Sequence, residues 1–137
     1  MRVVADTNVI ISMLLWGKSL ERLFVLINTR RITLCFSPQT IDELFRVVRY
    51  PHIQKQSEKL KVPTEALIDK LLAASIIVYP HAELTVIKED QSDNRILEAA
   101  IASSAKHIIS GDKHLLKAKK IHSIPILAPR EFLASFN

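Results

Sequence analysis

The chain has 137 residues, 48% of them hydrophobic, which is the size and apolar content of one folded domain and excludes a disordered segment. Lys+Arg 19 against Asp+Glu 14 gives a net charge of +5, an excess that favours an anionic partner. The lone Cys35 excludes a disulfide framework and a cysteine-based zinc site, and Gly17 and Gly111, the two glycines, exclude glycine-rich phosphate loops.

Arg2-Val3-Val4-Ala5 is a short apolar run ending at Asp6 and reads as a buried strand. Asn8 to Trp16 is again apolar, and Gly17 stops it. Ser19 opens a helical stretch in which Leu20, Leu23, Phe24 and Ile27 share a face. Ile32 to Phe36 is a second strand. The next helix has Pro38 at its first position and Ile41, Leu44, Phe45 and Val48 on one side. The polar stretch from Pro51 to Pro63 reads as a short exposed helix and its connection. Thr64 is expected to cap the following helix, where Leu67, Leu71 and Leu72 recur.

Ser75 to Tyr79 is β-branched and predicts a third strand. A polar loop, Asp90 to Asn94, opens a helix from Asp93 to about Ser104. His107 to Ser110 is a fourth strand, broken at Gly111-Asp112 and followed by a short helix around Leu115-Leu116. Ile124 to Leu127 is the last strand, and Pro129 starts a final helix ending near Phe136. Short apolar strands alternating with helices predict a three-layer α/β/α sandwich around a central, mostly parallel sheet of about five strands, all in one domain, 1–137. No apolar run approaches the ~20 residues of a membrane helix, and Met1 leads straight into a strand without a signal-peptide pattern. A cytoplasmic location is the expectation.

In a parallel sheet, function collects at the carboxyl ends of the strands. Asp6, Glu43, Asp93 and Asp112 are all expected on that rim. Each also has a purely structural explanation. Asp6 and Asp112 suit helix caps, Thr40-Ile41-Asp42-Glu43 fits a capping box, and a carboxylate in a first helical turn, as at Asp93, is favoured by the helix dipole. Asp93 fits that explanation least, because it shares the burying stripe of Ile96, Leu97 and Ala100. Glu43 lies off the apolar stripe of its own helix, and periodicity leaves its place undecided. Converging carboxylates repel, by roughly 4 kcal/mol for a pair ~4 Å apart at an effective dielectric near 20, and tolerate one another only when protonated or bridged by a multivalent cation. Hard oxygen donors suit Mg²⁺ or Mn²⁺. The five histidines show no i, i+4 pair for zinc.

Four ordered segments also resemble the motifs of PIN-domain nucleases. Asp6-Thr7-Asn8-Val9-Ile10-Ile11-Ser12 is similar to the first, Thr40-Ile41-Asp42-Glu43-Leu44 to the second, Asp90 to Ala100 to the third and Ser110-Gly111-Asp112 to the fourth. Ile126 to Leu133 resembles the closing segment. The likeness covers nearly the whole chain and is greatest to single-domain toxins of toxin–antitoxin pairs. It implies that Asp6, Glu43, Asp93 and Asp112 hold one or two Mg²⁺ or Mn²⁺ ions, Asp93 and Asp112 being less uniformly needed for each ion. It further implies that Thr7, Asn8 and Ser110 orient those carboxylates. Relatives often carry adjacent acids in the third motif, where this chain has Ser92 before Asp93.

The implied activity is metal-dependent endonucleolytic hydrolysis of RNA, in which the ion activates a water and stabilises the leaving oxygen. Arg46, Arg49, Arg95, Lys113 and Lys117 are the candidate contacts to the RNA backbone, and Trp16 is a candidate for stacking on a base or covering a dimer surface. A cognate antitoxin and a second copy of the chain are the implied protein partners, with the helices around Ser19–Ile27 and Lys55–Leu72 as docking surfaces. Three rivals stand beside this reading. An aspartyl phosphotransferase of the haloacid dehalogenase type wants a second Asp where this chain has Asn8, and a receiver domain wants paired acids where it has only Asp6. A catalytically inactive RNA- or protein-binding module would use the acids only as caps, and a Mg²⁺ titration separates it from an enzyme.

Overall fold

The computed structural model describes residues 1–136, except for the side chains of Lys18 and Ser19. In chain order the elements are β1 (Arg2–Ala5), α1 (Thr7–Leu15), a 3₁₀ turn (Gly17–Leu20), α2 (Glu21–Asn28), β2 (Thr33–Phe36), α3 (Pro38–Val48), α4 (Pro51–Leu60) and α5 (Thr64–Ala73). There follow β3 (Ile76–Ile77), α6 (Gln91–Ser103), β4 (His107–Ile109), α7 (Lys113–Ala118), β5 (Lys120–Ile121), β6 (Ile124–Leu127) and α8 (Pro129–Ala134). The sheet runs β3-β2-β1-β4-β6-β5, every pairing parallel except the β5–β6 hairpin.

Alternation along β1 sets the layers. Val3 and Ala5 join one core with Leu34, Phe36, Leu23, Leu44, Ile68 and Phe132, while Val4 joins a second with Cys35, Ile108, Leu97 and Leu115. One face is therefore covered by α1 to α5 and α8, the other by α6 and α7, which makes the three-layer α/β/α sandwich expected from the sequence. The chain winds outward from β1 to β3, then returns to the other side of β1 with β4. That reversal makes the carboxyl ends of β1 and β4 the switch point of the sheet. Among the described residues no helix is long and apolar enough to cross a membrane.

Several expectations are corrected in detail. The sheet has six strands rather than about five, because Lys120–Ile121 adds an antiparallel edge through a turn at His122, whose φ is 54°. The third strand shrinks from Ser75–Tyr79 to Ile76–Ile77. The apolar stretch Asn8–Trp16 is the buried helix α1. Thr64 does not cap α5; its hydroxyl pairs with Ser57 Oγ at 2.8 Å and donates to Val62 O at 3.3 Å. The capping box of α3 is one turn earlier than Thr40–Glu43. Thr40 N donates to Ser37 Oγ at 3.2 Å, Ser37 N donates to Thr40 Oγ1 at 2.9 Å, and Glu43 is released for other use. Ser37→Ala is accordingly expected to lower stability by about 1 kcal/mol, a fall of roughly 3–5 °C in Tm, read by thermal unfolding.

The long connection before α6 is clasped by that helix. Fully buried Asn94 accepts from Ile87 N at 2.8 Å and donates to Ile87 O at 2.6 Å, which mimics a strand partner. Glu98 accepts from Leu84 N at 2.6 Å, and Arg95 donates to Leu84 O at 3.0 Å while pairing with Glu83 and Glu98 at 3.1 and 3.2 Å. These bonds fix where Asp90 and the first turn of α6 lie.

Candidate active site

The N-termini of α1, α6 and α7 meet at the carboxyl edge of the sheet, and each carries an acid at its cap. Asp6 caps α1, accepting from Val9 N at 2.9 Å through Oδ1. Asp90 caps α6, its Oδ1 accepting from Ser92 N at 2.9 Å and Ser92 Oγ at 2.6 Å. Asp112 caps α7, its Oδ1 accepting from His114 N at 2.7 Å and Leu115 N at 3.2 Å. Helix starts favour negative charge, which is why acids persist there without basic partners. α6 begins at Gln91, two residues before the expected Asp93, so Asp93 falls in the third helical position and faces inward.

A cavity of about 50 Å³ is lined by Asp6, Thr7, Asn8, Glu43, Asp90, Ser92, Asp93, Ile96 and Asp112. All four acids expected from the sequence are thus brought together, from β1, α3, α6 and the end of β4. Asp90 is a fifth, missed because it stands just outside the turn containing Asp93 and reads as loop; its position directly before a helix start was the available signal. Of the three residues expected to orient the carboxylates, Ser110 is the one whose side chain hydrogen-bonds an acid of the cavity. Its fully buried hydroxyl donates to Asp6 Oδ2 and accepts from Asp112 N at 2.9 Å. Among the described residues neither Thr7 nor Asn8 hydrogen-bonds a carboxylate through its side chain, although both line the cavity.

The electrostatics are those of crowded anions. Burial pushes the Asp6 carboxyl up, and the charge of Asp112 adds to it, against the bonds from Ser110 and Val9. Glu43 is raised by burial and the field of Asp90, opposed by Ser92 and Arg46. Asp93 is pushed up to about 7, first by burial, then by Asp112, Asp90 and Asp6. Asp93 is 6% exposed, and its Oδ2 is buried without a hydrogen-bond partner. An orphaned carboxylate oxygen is costly unless a cation or a proton satisfies it. The donor set is entirely hard oxygen, so its chemistry fits a divalent cation such as Mg²⁺ or Mn²⁺. Among the described residues no three His, Cys, Asp or Glu side chains are placed to hold one ion as they stand, so binding requires the carboxylates to draw closer around it.

The expected RNA contacts divide. Arg46, Lys113 and Lys117 are exposed, Lys113 and Lys117 lying one helical turn apart on the helix that Asp112 caps. Arg49 is exposed and pairs loosely with Glu65 at 3.8 Å. Arg95 is a correction: its guanidinium is committed to Glu83, Glu98 and Leu84 O and braces the loop. Trp16 is 48% exposed but sits at the far end of α1 from Asp6, roughly 15 Å away at 1.5 Å per residue, beside Gly17 rather than over the acids.

Comparison with known proteins agrees with this architecture. The chain is similar to a chain in the crystal structure of VapBC2 from Rickettsia felis bound to a DNA fragment from their promoter. The TM-score is 0.58 at 18% identity, covering 92% of this chain and 97% of that one. No curated protein matches it. The PIN domain family matches residues 2–114, from the strand that delivers Asp6 to the helix that Asp112 caps, and the chain belongs to that family.

Proposed function

We propose that the chain is a metal-dependent endoribonuclease, one PIN-like domain acting in the cytoplasm as the toxin of a toxin–antitoxin pair. The buried, unpartnered Asp93 Oδ2 among four other carboxylates at the sheet's switch point carries this reading, because ionised carboxylates so crowded are relieved by a multivalent cation and otherwise only by taking up protons. Asp6, Glu43, Asp93 and Asp112 are the residues that hold Mg²⁺ or Mn²⁺. Bound there, such an ion supplies polarisation of a phosphodiester and a water acidic enough to attack it. Ser110 keeps Asp6 turned to the cavity. Arg46, Lys113 and Lys117 steer and hold the RNA backbone beside the acids, consistent with the net charge of +5.

An antitoxin has a surface to meet. Met13, Leu14, Gly17, Glu21, Phe24 and Leu67 line an apolar groove of about 350 Å³ between α1, α2 and α5, with Trp16 and Val25 exposed at 48% and 50%. That joins the two helical regions expected to dock a partner, and the fold shared with the VapBC2 chain supports such an assembly. Homodimerisation belongs to the same proposal. Cleavage of defined RNAs by wild type, Asp6→Asn and Asp93→Asn, with EDTA and then excess Mn²⁺, tests the activity. Wild type is expected to lose cleavage in EDTA and regain it with Mn²⁺, and both variants to fall by about 100-fold or more. Equal cleavage by all three proteins overturns the proposal.

A further inference from the structure

We propose that Tyr50 is the base-stacking residue of this site, and that an unpaired nucleotide of the RNA lies on its ring, beside the face of α3 that carries Glu43. The inference rests on the ribonuclease reading above and adds to it where a base of the substrate is held.

Helix periodicity links the ring to the cavity. Glu43, Arg46 and Tyr50 stand at i, i+3 and i+7 along α3 and the turn that ends it, so they fall along one side, apart from the buried Leu44 and Val48. Glu43 lines the acid cavity, and Tyr50 stands about 10 Å farther along the helix. Tyr50 is 44% exposed, and its hydroxyl has no hydrogen-bond partner among the described residues. A large ring so placed offers an apolar face and a polar tip to a ligand.

The backbone under the ring is fixed. Tyr50 N donates to Val47 O at 3.0 Å, Tyr50 O accepts from Ile53 N and Gln54 N at 3.0 Å each, and Pro51 follows as the first residue of α4. Gln54 Nε2 closes the corner on Val48 O at 2.7 Å. His52 supports the ring from α4, the centroids 6.2 Å apart and the planes tilted by 41°. The surroundings are basic: from Arg46 to Lys61 there are five Lys or Arg and one acid, Glu58. An aromatic ring among cations suits a single strand, whose bases stack on the ring while the cations follow the phosphates. Trp16 and Tyr79 are not placed for this. Trp16 lies at the far end of α1, and Tyr79, 69% exposed, follows the outer strand β3 on no helix that carries an acid of the cavity.

Steady-state cleavage of a defined single-stranded RNA in Mn²⁺ by the full chain tests the proposal, with Tyr50→Ala, Tyr50→Leu and Tyr50→Phe. Stacking holds bound substrate and transition state alike, so Tyr50→Ala is expected to raise KM about 5- to 100-fold with kcat within about threefold. Tyr50→Phe keeps the ring and is expected to stay within about threefold of wild type, while Tyr50→Leu, which keeps bulk without a π face, follows Tyr50→Ala. An abasic nucleotide walked along the RNA is expected to reproduce the loss in wild type at one position, and to add nothing there in Tyr50→Ala. An unmoved KM in Tyr50→Ala, with or without a lower Tm, marks a structural corner and overturns the assignment. Abasic losses that add fully at every position, or a Tyr50→Phe as weak as Tyr50→Ala, overturn stacking in the same way. In each of these cases the nuclease reading stands, whereas a wild type that cleaves no RNA overturns both.

Discussion

Asp93→Asn is expected to make the metal-free protein more stable at pH 8 while abolishing its cleavage of RNA. The carboxyl of Asp93 titrates at about 7 in the folded chain against 3.8 when unfolded. Below about pH 4 both states hold the proton, and Asp93 imposes no penalty. As pH rises toward 7 the unfolded state has released its proton and the folded state has not, so stability falls, and above 7 the full penalty is present. At 1.36 kcal/mol per unit the ceiling is on the order of 4 kcal/mol, and relaxation of the neighbouring acids brings the expected gain in Asp93→Asn to about 1–3 kcal/mol. Asp6 and Glu43 are shifted in the same direction, so these two acids add to the loss of stability of the metal-free chain as pH rises.

Thermal unfolding in EDTA from pH 4 to 8 reads this directly. The two proteins converge at pH 4, and the variant melts higher at pH 8. Saturating Mn²⁺ reverses the order, since binding adds stability only to the protein that retains the ligand. A variant less stable than wild type at pH 8 without metal means that Asp93 is an ordinary helix-start residue.

That contrast between cap and ligand was posed too sharply by the sequence. Asp6 and Asp112 were legible as acids at strand ends, and each admitted two roles that seemed exclusive. In the structure both acids are caps through Oδ1, and both still line the cavity where the helix starts converge, so capping alone does not decide against the second role. β1, β4 and β6 were readable as uninterrupted apolar runs, and Asp93 stood out because it lies on the stripe of Ile96, Leu97 and Ala100. What escaped was set by tertiary context. Two-residue strands such as β3 and β5 are too short for any periodicity. Asn94 found its partner in Ile87 across a loop, and Arg95, read as a phosphate contact, instead found Glu83 and Glu98. The place of Glu43 was undecidable from its own helix, since it depends on α3 packing beside α6.

Ser110→Ala is expected to damage stability and metal binding together, because one hydroxyl joins two of the acids. Ala5 and Ile109 are in register, Asp6 N donates to Ile109 O at 3.0 Å, and the chain leaves the two strands side by side at Asp6 and Ser110. The Ser110 hydroxyl bridges that gap, donating to Asp6 Oδ2 and accepting from Asp112 N. A methyl group leaves the Asp112 amide without its partner and Asp6 Oδ2 without the Ser110 donor, a loss of about 1–3 kcal/mol. It also removes the strongest influence holding the Asp6 carboxyl down against burial, so its proton is held to higher pH. Mn²⁺ must displace that proton. Affinity at pH 7 is therefore expected to fall roughly 10- to 100-fold, with the pH midpoint of binding moved upward and the deficit shrinking as pH rises. A purely structural serine predicts lower stability with an unmoved midpoint, so Mn²⁺ titrations of Ser110→Ala across pH separate the two roles.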